Sequence, residues 1–275
     1  MKQVIHSAVI DKGKVGEQEM KQMLCNKKYS GIFWAIILAG IFVGISLFGM
    51  QIFSGTQWYL FSSTLRFVFG FIILFLIKKI YGRTMKEVLS MKGSKIALAA
   101  GIGFLFYFLY FLLRLCLGMQ AISGLTAGIF LSKIILQQIA TGFYEELNYR
   151  ALILEGYFYG TQNVKNKLLY AFISFGLFGA VHVVSGWNTY AFLMSGAIGF
   201  VFAVMYLKSR NILLPMILHF IYDIFANLQD YVEWNNSTLF INLCSICDIV
   251  LVIMFVVSFV MLLRKDHLSI AEQKA

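Results

Sequence analysis

The chain has 275 residues, of which 60% are apolar and 13% charged, with 27 Phe, a single Pro and a net charge of +10. A soluble domain of this size needs more polar surface to cover its core, so composition excludes an ordinary soluble globular protein. The positive balance does not point to nucleic acid, because no basic stripe with interleaved aromatics stands apart from the loops.

In chain order, residues 1–30 mix both charge signs without a long apolar run and are expected to form a cytosolic extension rather than a signal peptide. Apolar runs then predict helical spans at 31–53, 59–80, 96–117, 132–157, 168–184, 190–207, 212–228 and 239–263. The expected fold class is all-α, a polytopic membrane helical bundle with about eight transmembrane helices. Residues 122–131 read as a short outer interfacial or re-entrant piece, 31–265 as one membrane domain, and 266–275 as a cytosolic tail. Lys and Arg gather in alternate loops, around Lys78–Lys86, Lys165–Lys167 and Lys208–Arg210, and in both tails. Loops 54–58, 185–189 and 229–238 carry none. The positive-inside rule therefore places both termini in the cytoplasm and the protein in a membrane, expected to be a bacterial plasma membrane.

Cys25, Cys116, Cys244 and Cys247 make no disulfide framework, and the thiols inside spans read as apolar fillers. Pro215 suits the first turn of the seventh span. Gly40/Gly44 and Gly156/Gly160 have a spacing that permits close helix packing.

Charged groups within a bilayer cost roughly 2.5–3.5 kcal/mol each on insertion scales, so they face a bundle interior and have a task. Lys133, Arg114 and Glu155, near predicted ends, are expected to snorkel. Arg66 and Asp248 are expected to pair with each other or with backbone carbonyls. The remaining groups form a pattern. Glu146 and Arg150 are i, i+4 and share a helix face, while the adjacent Glu145 is rotated about 100° away. His219 and Asp223 are again i, i+4, and His182 comes from a third helix. At 1.5 Å per residue, Glu145, His182 and His219 are expected to meet at one level, about 10–20 Å from the inner span ends. A structural reading, in which buried polar pairs only lock helices together, suits any one pair alone but not the whole set.

A carboxylate and a neutral imidazole can hold a water, and the carboxylate can accept its proton as general base. A second polar cluster facing that water can stabilise an oxyanion. The set points to hydrolysis of an amide or ester, with no G-x-S-x-G elbow and no H-E-x-x-H in the chain.

The residues E145-E146-L-N-Y-R150, F178-G-A-V-H182 and H219-F-I-Y-D223 follow one another in this order. In this arrangement the chain resembles the CPBP family of CAAX-protease and bacteriocin-processing (Abi) intramembrane endopeptidases. The resemblance implies cleavage of a membrane-associated peptide or protein, of CAAX, bacteriocin or signalling type. It implies catalytic roles for Glu145, His182, His219 and Asp223, with Glu146 and Arg150 supporting them. Some relatives have Asn where this chain has Asp223, and an ionised Asp can only accept a hydrogen bond. Two mechanisms stay open: a metal-free one, preferred and needing no cofactor, and a zinc site built from Glu145, His182, His219 and Asp223. The competing functions are a proton-coupled transporter, disfavoured by the lack of repeated halves, and a non-catalytic membrane regulator or immunity factor.

Overall fold

The computed structural model describes residues 27–91, 104–105, 108–113, 115–116, 118–157, 163–234 and 237–263. Nearly all of them are helical, and the protein is an all-α membrane bundle. The helices are α1 (Lys27–Ile52), α2 (Gly55–Tyr81), the short α3 (Met85–Val88), α4, α5 (Val164–Val181), α6 (Thr189–Ser209), α7 (Leu213–Leu228) and α8 (Ser237–Leu263). Here α4 is a continuous rod made of α-helical Ala127–Ile129, π-helical Phe130–Leu136, α-helical Gln137–Glu146, π-helical Leu147–Leu152 and α-helical Ile153–Tyr157. Among the described residues, four helices are long and apolar enough to cross a bilayer: α1 from Tyr29, α2, α5 and α6. α7, with 16 residues, is shorter than the roughly 20 a full span needs. Most of the expected span 96–117, and Arg114 within it, lie outside the described residues.

The expected piece at 122–131 is corrected. Met119–Ile122 is a strand, β1, which pairs antiparallel with β2 (Val232–Trp234), and α4 starts five residues earlier than the expected span, at Ala127. The ribbon joins the chain before α4 to the chain after α7, so it fixes the start of one helix beside the end of the other. Hydropathy cannot show such a pairing, because the two strands are far apart in sequence and contribute few residues.

α4 is the axis of the fold. It packs against α1, α2 and α7, while α5 and α6 form a close pair backed by α8. Two contacts are possible only with glycine. A Cβ on Gly31 would lie 2.2 Å from the Leu152 carbonyl oxygen, and one on Gly156 would lie 2.5 Å from the Gly31 nitrogen. The backbones of α1 and α4 therefore touch. Gly40 and Gly44, by contrast, have open space beside them. The side-chain surroundings of Cys244 and Cys247, and Cys25 and Gly160 altogether, lie outside the described residues.

Polar side chains close one end of the bundle. Glu155 is not at a snorkelling surface: it is buried, paired with Arg83 at 3.3 Å and hydrogen-bonded from Tyr206. The Ser30 and Tyr81 hydroxyls hydrogen-bond at 2.6 Å. Just beyond, α3 opens with a capping box in which the Thr84 hydroxyl and the Glu87 carboxylate serve each other's backbone. The Thr84 N–H, then its hydroxyl, hold the Glu87 carboxyl below its ordinary range. At the other end, Lys133 reaches an exposed carboxylate. It donates to Asp230 at 3.1 Å and to the Tyr231 hydroxyl, tying α4 to the segment before β2.

Candidate active site

Glu145 and Glu146 end the middle α-helical part of α4, immediately before the second π-helical turn. π turns within α-helices recur at functional sites, because they displace side chains from the regular face. Glu146 and Arg150 are both wholly buried and 3.1 Å apart. The guanidinium makes no hydrogen bond of good geometry. It is held by the Glu146 charge and by aromatic faces, lying 4.1 Å from the Phe178 ring centre and 5.6 Å from that of Phe202. An arginine stacked on rings in a dry core gains about 2 kcal/mol from the ring quadrupole.

His219 comes from α7, which approaches α4 closely because Gly142 faces it. A Cβ at Gly142 would lie 3.0 Å from the Met216 carbonyl oxygen and 3.8 Å from the His219 Cβ. His219 Nδ1 sits 2.8 Å from Glu146 Oε1, so the N–H there donates to a carboxylate already shared with Arg150. That fixes the ring, and its Nε2 lies 3.4 Å from Asp223 and 3.7 Å from Glu145. Glu146 thus commits its Oε1 atom to both Arg150 and His219, and the Oε2 atoms of Glu145 and Glu146 have no hydrogen-bond partner. The Glu145 and Asp223 side chains are also the more open members, 14% and 17% exposed against 4% for His219.

His182 stands differently. It caps the end of α5, is solvent-exposed, and its Nδ1 lies 2.7 Å from the Phe178 carbonyl oxygen. No described carboxylate comes within ion-pair distance of it. Its link to the cluster is the Phe178 ring, whose centre is 4.5 Å from the His182 ring and 5.7 Å from that of His219. The structure therefore brings Glu145, Glu146, Arg150, His219 and Asp223 together and sets His182 beside them through one aromatic ring.

Three contributors were missed from sequence. Arg66 interacts electrostatically with Glu145 and Asp223, while its guanidinium bonds the Ser62 carbonyl and hydroxyl. Its expected partner Asp248 instead accepts from the Tyr190 hydroxyl at 2.8 Å. Phe178 is a ring platform for three site residues. Asn148 donates to the Ala35 carbonyl, anchoring α4 to α1 within the same turn as the carboxylates. Asn148 lies inside the quoted glutamate motif and Phe178 begins the next one, so their positions carried a signal even though their roles did not.

The residues do not fit zinc as arranged. Among the described residues, no three His, Cys, Asp or Glu side chains are set to hold a metal ion. Glu145 and Asp223 lie near His219 Nε2, but His182 stands beyond the Phe178 ring, so the four side chains do not form one ligand set.

No curated protein and no solved structure matches the chain. A family model does match, over residues 126–225, described as Rce1-like, type II CAAX prenyl endopeptidase Rce1-like. The matched stretch runs from the start of α4 nearly to the end of α7 and contains every candidate site residue. At family level the match supports a CAAX-type endopeptidase and a membrane-associated peptide or protein substrate. The protein is an integral membrane protein whose residues 126–225 match the model of the Rce1-like type II CAAX prenyl endopeptidases, in agreement with the resemblance read from its three motifs.

Proposed function

We propose that the protein is an intramembrane endopeptidase in which Glu145 activates the water that attacks a peptide carbonyl. The observation that carries this reading is the division of labour between adjacent carboxylates. Glu146 is wholly buried with one oxygen shared by Arg150 and His219, whereas the Glu145 side chain is 14% exposed and meets only the His219 ring, at 3.7 Å. A general base needs an accessible oxygen, within hydrogen-bond reach of a water.

In this mechanism a water bound by Glu145, with His182 steadying it from the α5 side, gives its proton to the Glu145 carboxylate as its oxygen attacks the scissile carbonyl. Electron density moves onto the carbonyl oxygen. His219, in its imidazolium form and held by Glu146 through Nδ1–H, presents Nε2–H to that oxyanion, and the Asp223 carboxylate 3.4 Å from Nε2 balances the ring's charge. An Asp at that position thus acts through its charge beside the ring and need not itself donate a hydrogen bond. The Glu145 carboxyl then returns the proton to the leaving amine as the tetrahedral species collapses. No metal takes part.

The test uses purified protein in lipid nanodiscs and a fluorogenic peptide ending in a prenylated Cys-aliphatic-aliphatic-X sequence. The wild-type protein is expected to cleave it, and Glu145→Gln to lose at least about 100-fold in rate, in the range general-base removal produces. Cleavage at an unchanged rate by Glu145→Gln would overturn the proposal.

A further inference from the structure

Three described cations that approach the bundle interior each meet a carboxylate. Arg83 lies 3.3 Å from Glu155, Lys133 lies 3.1 Å from Asp230 and Arg150 lies 3.1 Å from Glu146. Arg66, on α2, does not. It feels the charges of Glu145 and Asp223, yet no described carboxylate stands within ion-pair distance of it. An ionisable group inside a membrane span is costly, and one that the fold leaves without an ion-pair contact is a candidate for a task. Arg66 also lies outside residues 126–225, so the family match assigns it none.

Its surroundings hold the guanidinium in one orientation. Nη1 donates to the Ser62 carbonyl at 3.3 Å and to the Ser62 hydroxyl. That hydroxyl also accepts from the Gln137 side chain at 3.1 Å, which ties it to α4. The guanidinium carbon lies 5.1 Å from the ring centre of Phe42 on α1, and the same ring stacks on Tyr144 at 4.6 Å. Both Ser62 bonds thus fall on one nitrogen and leave the Nε–Nη2 edge without an acceptor. Nε is buried and unpartnered, and Nη2 makes no hydrogen bond. That edge carries two parallel N–H groups, the arrangement that meets a carboxylate with two bonds. The Arg150 nitrogens also lack hydrogen bonds, but that side chain is wholly buried beside two rings and already on Glu146. Arg66 is only half-buried.

The free edge defines its ligand. A negative group with two oxygens in one plane fits it better than a single peptide carbonyl does. A peptide cut near its end brings such a group with it. A terminal carboxylate three residues beyond the cut lies within about 10–11 Å of the scissile bond, at 3.3–3.6 Å per residue. Arg66 and Glu145 stand on α2 and α4, which pack together, while His219 and Asp223 come from α7. A peptide whose scissile carbonyl lies between Glu145 and His219 can therefore rest its end on Arg66. Glu145 and Asp223 repel a further anion, and the Arg66 charge is placed to offset them. We infer, on the hydrolytic reading of the site, that Arg66 receives the C-terminal carboxylate of the substrate, so that peptides with a free end within about three residues of the scissile bond are selected.

The experiment measures binding, with Glu145→Gln protein in nanodiscs and the prenylated Cys-aliphatic-aliphatic-X peptide carrying an N-terminal fluorophore. Two forms of the peptide, a C-terminal acid and a C-terminal amide, differ only in the charge that Arg66 would hold. The acid is expected to bind about 10–100-fold more tightly, the range for a charge-assisted hydrogen-bonded pair. With Arg66→Gln added, both forms are expected to bind as the amide does. With Arg66→Lys, which keeps the charge without the fork, the acid is expected to fall between these limits. The acid–amide comparison leaves residue 66 intact, so a poorly folding variant does not decide it. Equal affinity for the two forms, as when Arg66 only balances Glu145 and Asp223, would overturn the inference. No binding of either form, or a preference that survives Arg66→Gln, would do the same. Binding needs no turnover, so an acid preference in a protein that cleaves nothing defeats the proposed function alone. Cleavage of acid and amide with equal kcat/KM defeats the role of Arg66 alone.

Discussion

Glu145 and Glu146 are neighbours of identical chemistry in opposite circumstances. The i, i+4 spacing puts Glu146 over Arg150, and the approach of α7 adds His219 to the same oxygen. Removing one member of such a set leaves a charge stranded in a dry core, which costs about 3–5 kcal/mol. Arg150→Met is therefore expected to lower the thermal unfolding temperature sharply in detergent, and Glu146→Gln/Arg150→Met to recover most of that loss because both charges are gone. The double variant is still expected to be inactive, since His219 loses its carboxylate anchor. Thermal scans and peptide cleavage on the three proteins check this; a double variant no more stable than Arg150→Met would show that the pair is not the reason for the cost. Both i, i+4 pairs were legible in the sequence, because helix geometry alone brings such residues together. The standing of His182 was not. Its distance from the carboxylates depends on where α5 ends and on the Phe178 ring lying between elements, and neither leaves a mark on hydropathy.

At the scale of helices, the close approach of α4 and α7 hangs on Gly142. Gly142→Ala would put a methyl group 3.0 Å from the Met216 carbonyl oxygen, displacing α7 by a few tenths of an ångström, and small misplacements of reacting groups cost up to about 10²-fold in rate. The variant is expected to fold normally and to lose activity by about 10-fold through misaligned His219. Gly156→Ala meets backbone at 2.5 Å instead and is expected to cost about 1–3 kcal/mol of stability, as overpacking does. Unfolding curves and cleavage rates together separate the two; equal activity in Gly142→Ala and wild type would remove the positioning role. Helix limits were largely readable, with α2, α6, α7 and α8 lying close to the apolar runs. The π turns of α4 were not, because a change from i→i+4 to i→i+5 bonding leaves no trace in a run already apolar on all sides. The expected span stopped short of Ala127 because the small and polar residues of 122–131 resemble an interface more than a helix.

For the molecule as a whole, residues 146–156 of α4 and 196–207 of α6 are buried while 189–195 and 220–228 are half-buried or exposed, a contrast that predicts a gradient of local stability. Amides that open only with the whole fold exchange slowest, and those with few buried contacts exchange first. Hydrogen exchange in nanodiscs is expected to leave residues 146–156 and 196–207 protected and to proceed faster in 189–195 and 220–228. Uniform protection along α6 would argue against this gradient. The alternation of basic and uncharged loops was plain in the sequence; the burial asymmetry required the packing.

The central claim is that Glu145, His219 and Asp223 surround the bond that is cut. Its most direct test is an experimental structure of Glu145→Gln with an uncleaved membrane peptide bound. The scissile carbonyl is expected beside residue 145, with its oxygen toward His219 and its carbon about 3–3.5 Å from a water held there, as a near-attack arrangement requires. A peptide seated instead in the cavity lined by Tyr190 and Asp248, with no carbonyl near residue 145, would contradict the account.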